Sequence, residues 1–258
     1  MLTSILMASA LGALQQAESL PTAGSLISKM MGRYVGAQTL VGTIQSSFMS
    51  GNGMVKVSTV MQFDRAKRLL YIRQNKETGK KESRLAVSDG KSLMYTNPLS
   101  GREHRDKKPF LLEPASRREA TLTSVGPKVK EIPMDLGEIY VVSSMGLADS
   151  SVPMDLAIAR QGDLELFRNQ LVSYKTMELT TFGGKAAYRV SGMWSDTTVD
   201  DPKGNYDLFL TAEGDIAGYV TTEQVSYQGK IHKITSSWVC DFKVGATPDP
   251  KLFVLKIP

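Results

Sequence analysis

The stretch Leu85–Pro98 constrains this chain more than any other. Leu85 and Val87 alternate with other residues on one side of it, Leu93 and Tyr95 do so on the other, and Ser88-Asp89-Gly90-Lys91 joins the two runs. An Asp-Gly step between alternating runs predicts a β-hairpin, because glycine accepts the positive φ that a tight turn between twisted strands requires. Proline lacks the amide a strand ladder needs, so the chain is expected to leave the sheet at Asn97-Pro98.

The flanks extend this hairpin into a meander. Met54–Phe63 alternates cleanly, with Val55, Val57, Met61 and Phe63 on one face and Lys56, Ser58 and Gln62 on the other. Asp64-Arg65-Ala66-Lys67 then turns into a strand over Arg68–Gln74, and Lys76–Lys81 turns again. Upstream, Leu40–Met49 reads as a strand with Ile44 and Phe48 on one face, followed by the turn Ser50-Gly51-Asn52-Gly53. Before it, Leu26, Ile27, Met30, Met31, Tyr34 and Val35 recur at helical spacing, predicting a helix over Thr22–Val35 with Thr22 as N-cap and Gly36 as its end.

The last third returns to strands at Tyr174–Phe182, Ala186–Trp194, Asn205–Leu210, Ile216–Tyr227 and Ile231–Val244, separated by turn-rich segments of hairpin length. In the last of these, Ile234, Trp238, Cys240, Phe242 and Val244 share a face. The middle, Leu99–Leu171, is less regular. Pro109, Pro114, Pro127, Pro133 and Pro153 break long elements, and helical spacing is found around Leu136–Leu147 and Asp163–Leu171.

A chain of 258 residues that is 41% hydrophobic can bury a full core, and its turn signals point to one sheet-rich domain. The net charge of +5 gathers at Arg65, Lys67, Arg68, Arg73, Lys76, Lys80, Lys81, Arg84 and Lys91. Such a face suits either an anionic partner or an edge charged against strand-to-strand aggregation. Nucleic acid is not an expected partner, since aromatic residues are 7% of the chain and no recognition motif accompanies the basic run. The single cysteine, Cys240, forms no internal disulfide. Residues 1–20 read as a signal peptide, with an apolar Leu2–Leu14 too short to span a bilayer; a short buried helix is the alternative.

The turn Val87-Ser88-Asp89-Gly90-Lys91, followed by an aromatic strand ending in Asn97-Pro98, resembles the signature hairpin of the LolA and LolB family of bacterial lipoprotein carriers. The likeness covers about residues 22–98 and 172–258, and includes the closing Pro250–Pro258 segment. It implies one half-barrel domain over 21–258 with a long insertion or lid around 99–171. It also implies a helix packed on the concave side of the sheet, and a basic residue near the first meander turn that helps hold the lid closed. Arg65, in Phe63-Asp64-Arg65, is the candidate for that role. With no cysteine near the N-terminus for lipid attachment, the soluble, carrier-like branch is the closer likeness.

Catalytic signatures are absent: His104 and His232 stand alone, there is no HxxxH, CxxC, P-loop or Gly-x-Ser-x-Gly, and no metal site or cofactor is expected. Nine or ten strands with few helices predict a mainly β (α+β) fold, a strongly curved, incompletely closed antiparallel barrel plugged by the N-terminal and middle helices. Phe48, Val57, Met61, Leu69, Tyr71, Leu93, Tyr95 and Trp238 are the candidate lining of an apolar cavity, and the same residues read equally as a filled core. The expected function is a monomeric, non-enzymatic, periplasmic or otherwise extracytoplasmic carrier that shields lipid or lipoprotein acyl chains. The resemblance implies an inner-membrane lipoprotein-releasing transporter and an outer-membrane receptor as partners. The alternatives are an envelope-stress sensor that binds an anti-sigma factor, which the absence of a second C-terminal domain disfavours, and a structural protein without ligand.

Overall fold

Thr22 starts the first helix as its spacing predicts: its Oγ1 accepts from the amide of Ser25 at 3.2 Å, and Gly36 caps the far end. This helix, α1 (Ala23–Val35), buries Leu26, Ile27, Met30 and Tyr34 on one face. The computed structural model describes residues 20–50, 53–78, 80–99, 109–158, 171–195, 202–227 and 230–256. Residues 1–19 of the signal segment expected over 1–20, residues 163–170 of the helix expected over Asp163–Leu171, and His104 lie outside them; Leu171 itself begins a strand.

Five strands follow as a meander, β1 (Thr39–Ser50), β2 (Gly53–Asp64), β3 (Leu69–Thr78), β4 (Lys80–Asp89) and β5 (Ser92–Thr96). The opening hairpin is β4–β5, with Ser88 and Leu93 its last paired residues. Gly90 turns at φ +86, and a Cβ there would lie 2.5 Å from the Lys67 carbonyl, so only glycine lets this turn rest on the preceding one. Asp89 Oδ1 accepts from the amides of Lys91 and Ser92 at 2.8 and 2.7 Å and stabilises the loop.

The middle holds more strands than its prolines suggest. A short β6 (Phe110–Pro114) returns to pair with β5, and β7 (Ser116–Thr123) and β8 (Gly126–Pro133) form a separate exposed ribbon. Pro114, Pro127 and Pro133 sit at strand ends or on this two-stranded ribbon, where a missing amide costs little. Pro153, read as a breaker, lies in the first turn of α3 (Val152–Ile158), where the amide is free in any helix. Before it comes α2 (Leu136–Ser144), closed by a capping box between Asp135 and Glu138.

The chain ends in β9 (Leu171–Phe182), β10 (Lys185–Ser195), β11 (Pro202–Leu210), β12 (Ile216–Tyr227), β13 (Lys230–Val244) and a short 3-10 helix, Pro250–Phe253. The main sheet has eleven antiparallel strands in the order β6-β5-β4-β3-β2-β1-β13-β12-β11-β10-β9, against the nine or ten strands expected. The β1–β13 pairing, with Ile44 opposite Cys240, joins the two halves of the chain. Among the described residues, edges β6 and β9 do not pair, so the sheet is open, as expected. The described α-helices, α1, α2 and α3, cover one face of it and share a single core with its inward residues.

Candidate ligand-binding face

Strand alternation decides which side chains face the helices. Register places Met61 opposite Ile72 and Phe63 opposite Leu70, and all four are fully buried. The same face carries Ile44 on β1, Val57 on β2 and Leu93 and Tyr95 on β5, all buried. Phe48, opposite Val55, and Trp238, opposite Ser46, continue it at half-burial. Six of the eight expected lining residues, Phe48, Val57, Met61, Leu93, Tyr95 and Trp238, therefore share the inner face.

Leu69 and Tyr71 do not. Their neighbours Leu70 and Ile72 turn inward, and both are half-buried on the outer face. The run Leu69-Leu70-Tyr71-Ile72 is apolar at every position, so alternation alone does not show its parity. Pairing Phe63 with Leu70 across the Asp64–Arg68 turn resolves it.

The inner face is covered, not empty. α2 lays Leu136, Ile139 and Tyr140 into the core, and α3 adds Met154, Leu156, Ala157 and Ile158. Gly146, just after α2, lies so close to β5 that a Cβ would stand 2.1 Å from the Thr96 carbonyl.

Polar anchors seat this helical pair in otherwise apolar surroundings. Gln74, fully buried on β3, accepts from the amides of Ala148 and Asp149 at 2.7 and 3.1 Å and donates to the Asp149 carbonyl at 2.6 Å. Trp238 Nε1 donates to Asp149 Oδ2 at 3.1 Å. Burial pushes the Asp149 carboxyl above its ordinary pKa, while hydrogen bonds from Ser46 and Trp238 oppose the rise. At the end of α3, Arg65 donates from Nη2 to the Ile158 carbonyl at 3.2 Å and from Nε to the Ala37 carbonyl at 3.0 Å, with its guanidinium 5.4 Å over the Phe63 ring. Burial draws that guanidinium pKa down. Within the pair, Tyr140 donates to Asp155 Oδ1 at 2.7 Å.

α1 is fastened differently, to the β11–β12 turn. Arg33 forks onto both Asp215 oxygens, Lys29 Nζ donates to the Ala212 carbonyl at 3.1 Å, and the Tyr34 hydroxyl accepts from the Ile216 amide at 3.1 Å. Gln74 and Asp149 were not candidates from sequence. Gln74 had a signal, a polar residue at the inward parity of Leu70 and Ile72; Asp149 in an irregular loop had none.

The side chains of this face are mostly apolar, and its polar groups are engaged in seating the helices. Among the described residues no cluster of three or more His, Cys, Asp or Glu could hold a metal. Cys240 is buried among apolar neighbours, and burial pushes its thiol pKa far up, away from a nucleophilic thiolate. No helix among the described residues is long and apolar enough to cross a membrane.

No family model matches the sequence, and no curated protein matches it. Similar solved structures include the Pseudomonas aeruginosa MucA/MucB complex, at 9% identity and TM-score 0.44, covering 90% of this chain and 60% of that one. The chain thus spans about 60% of that protein's length. The Mycobacterium tuberculosis lipoprotein LppX is similar at 6% identity and TM-score 0.41, covering 85% and 94% of the two chains. A LolA superfamily protein from Nitrosomonas europaea is similar at 11% identity and TM-score 0.29, covering 92% and 99%. These likenesses concern the fold.

Proposed function

We propose that this chain is a non-enzymatic, extracytoplasmic carrier that takes up lipid, or the acyl chains of a lipoprotein, against its inner face when α2 and α3 lift away. The observation that supports this most is how those helices are seated: a broad apolar face is covered by a short helical pair fastened at Gln74, Trp238 and Arg65. Buried polar fasteners add little net stability over apolar packing, but they define one seated position. A cover whose apolar contacts an acyl chain can replace, at roughly 0.8 kcal/mol per methylene, opens with little net cost. In this reading Arg65 is the latch of the closed form, and the 99–171 region supplies the cover. Export through the N-terminal segment, delivery from a lipoprotein-releasing transporter and hand-over to an outer-membrane receptor belong to the same proposal.

The test is native mass spectrometry of the protein from its own envelope fraction, with lipid analysis of the extract, followed by uptake of a fluorescent diacylated lipopeptide. Expected are one bound lipid or lipopeptide per chain and faster uptake by Arg65→Ala. A clean apo mass with no uptake by either protein would contradict the carrier and leave the sensor or ligand-free reading.

A further inference from the structure

The outer face of β3–β6 breaks the usual alternation of a sheet with one covered side, where the second face is polar. Tyr71, Leu85, Val87, Met94 and Phe110 all turn outward there, opposite the helices. The segment after β13 crosses this patch: the Asp249 amide donates to Gln62 Oε1 at 2.8 Å, and Leu252 and Val254 lie beside the apolar strand residues. It covers the patch only in part, leaving a groove of about 500 Å³ within the range of small-molecule sites. Val254 and Leu112 remain 55% and 52% exposed at its margins.

The charged side chains lining this groove are all cationic, Arg73, Lys251 and Lys256. None of the three forms an ion pair with a described residue. An apolar trough beside cations that have no ion-pair partner among the described residues complements a molecule with an apolar chain and an anionic end. The other outer-face cluster, on β9–β12, shows the contrast: Phe182 stacks on Phe209 at 3.9 Å and closes over Ala187 and Ala217 with its own side chains.

We propose that this outer groove is a second binding site, for a single-chain anionic amphiphile of the long-chain carboxylate class. The chain lies on Tyr71, Leu85, Met94 and Leu252, and the carboxylate meets Arg73, Lys251 and Lys256. The site is separate from the inner face and needs no movement of α2 or α3.

Palmitate carrying a photoreactive diazirine near its methyl end tests this on the full chain, with labelled peptides mapped by mass spectrometry and affinity measured by competition with unlabelled palmitate. Labelling is expected on β3–β5 and on Lys251–Lys256. The charge-reversed variant Arg73→Glu/Lys251→Glu, altered only at exposed positions, is expected to bind at least tenfold more weakly while keeping its unfolding midpoint. Hexadecanol, which lacks the charge, is expected to compete at least tenfold less well, and shortening the chain by two buried methylenes to weaken binding roughly tenfold. Labelling on the peptides of α1, α2 or α3 with none on Lys251–Lys256, equal affinity in the charge-reversed variant, or no labelling at all would overturn the proposal. The carrier reading stands or falls separately, on lipopeptide uptake and Arg65→Ala.

Discussion

Gln74 concentrates the closed state into one side chain. It is fully buried, and both ends of its amide are engaged by the loop between α2 and α3. Gln74→Ala strands two amides and a carbonyl and opens a hole, so we expect a loss of about 2–4 kcal/mol by urea denaturation and faster hydrogen exchange over residues 145–158. Asp149 acts on the same loop through pH. Its folded pKa lies above the ordinary 3.8 because burial disfavours the carboxylate. The folded state therefore holds that proton more tightly than the unfolded chain, and the stabilisation is full below the unfolded value and lost as pH rises through the folded one. Relative to Asp149→Asn, which does not titrate, the native protein should lose stability as pH rises from below 4; parallel unfolding midpoints across that range would refute this. These two residues also mark where sequence reading stops. Inward parity gives Gln74 a trace in the sequence, whereas Asp149 gains its role from Trp238, 89 residues away in the chain.

At the scale of elements, the strands before Pro98 and after residue 171, together with α1 and α2, were legible because alternation, helical spacing and turn residues are local. The faces of β2, β5 and β13 followed from the same alternation. The face of β3 did not, since four consecutive apolar residues carry no parity, and Leu69 and Tyr71, candidates for the lining, stand on the outer face. The assignment is testable: Ile72→Ala should cost about 2–5 kcal/mol as a core truncation, and Tyr71→Ala at least about 1 kcal/mol less. β6, the exposed ribbon and α3 were hidden by prolines that stand at strand ends, on the ribbon and in a helical first turn. Seating of α2 depends on Gly146, where an added methyl meets the Thr96 carbonyl backbone at 2.1 Å. Gly146→Ala should push the end of α2 off β5 and lower stability by about 1–3 kcal/mol, read from the thermal midpoint and from faster exchange in α2 but not in α1.

For the whole molecule, an open eleven-stranded sheet leaves a broad apolar face that something must cover. The general form, a curved sheet with helices on one side, was readable from the order of elements. How the helices sit was not, because their seat is made of contacts between segments distant in sequence. α1 is fastened by an ion pair to the β11–β12 turn, while α2 and α3 are held by a few anchors over the centre of the sheet. If the chain carries acyl groups, the second pair moves and the first stays. Spin labels at Val141 on α2 and Gln45 on β1, both exposed, measure this directly in a Cys240→Ser background by pulsed electron paramagnetic resonance. A diacylated lipopeptide at saturation should convert one short distance distribution into a longer one, with labels on α1 and β1 unmoved. A distance distribution between Val141 and Gln45 that stays the same at saturating lipopeptide would contradict a carrier that opens by lifting α2 and α3.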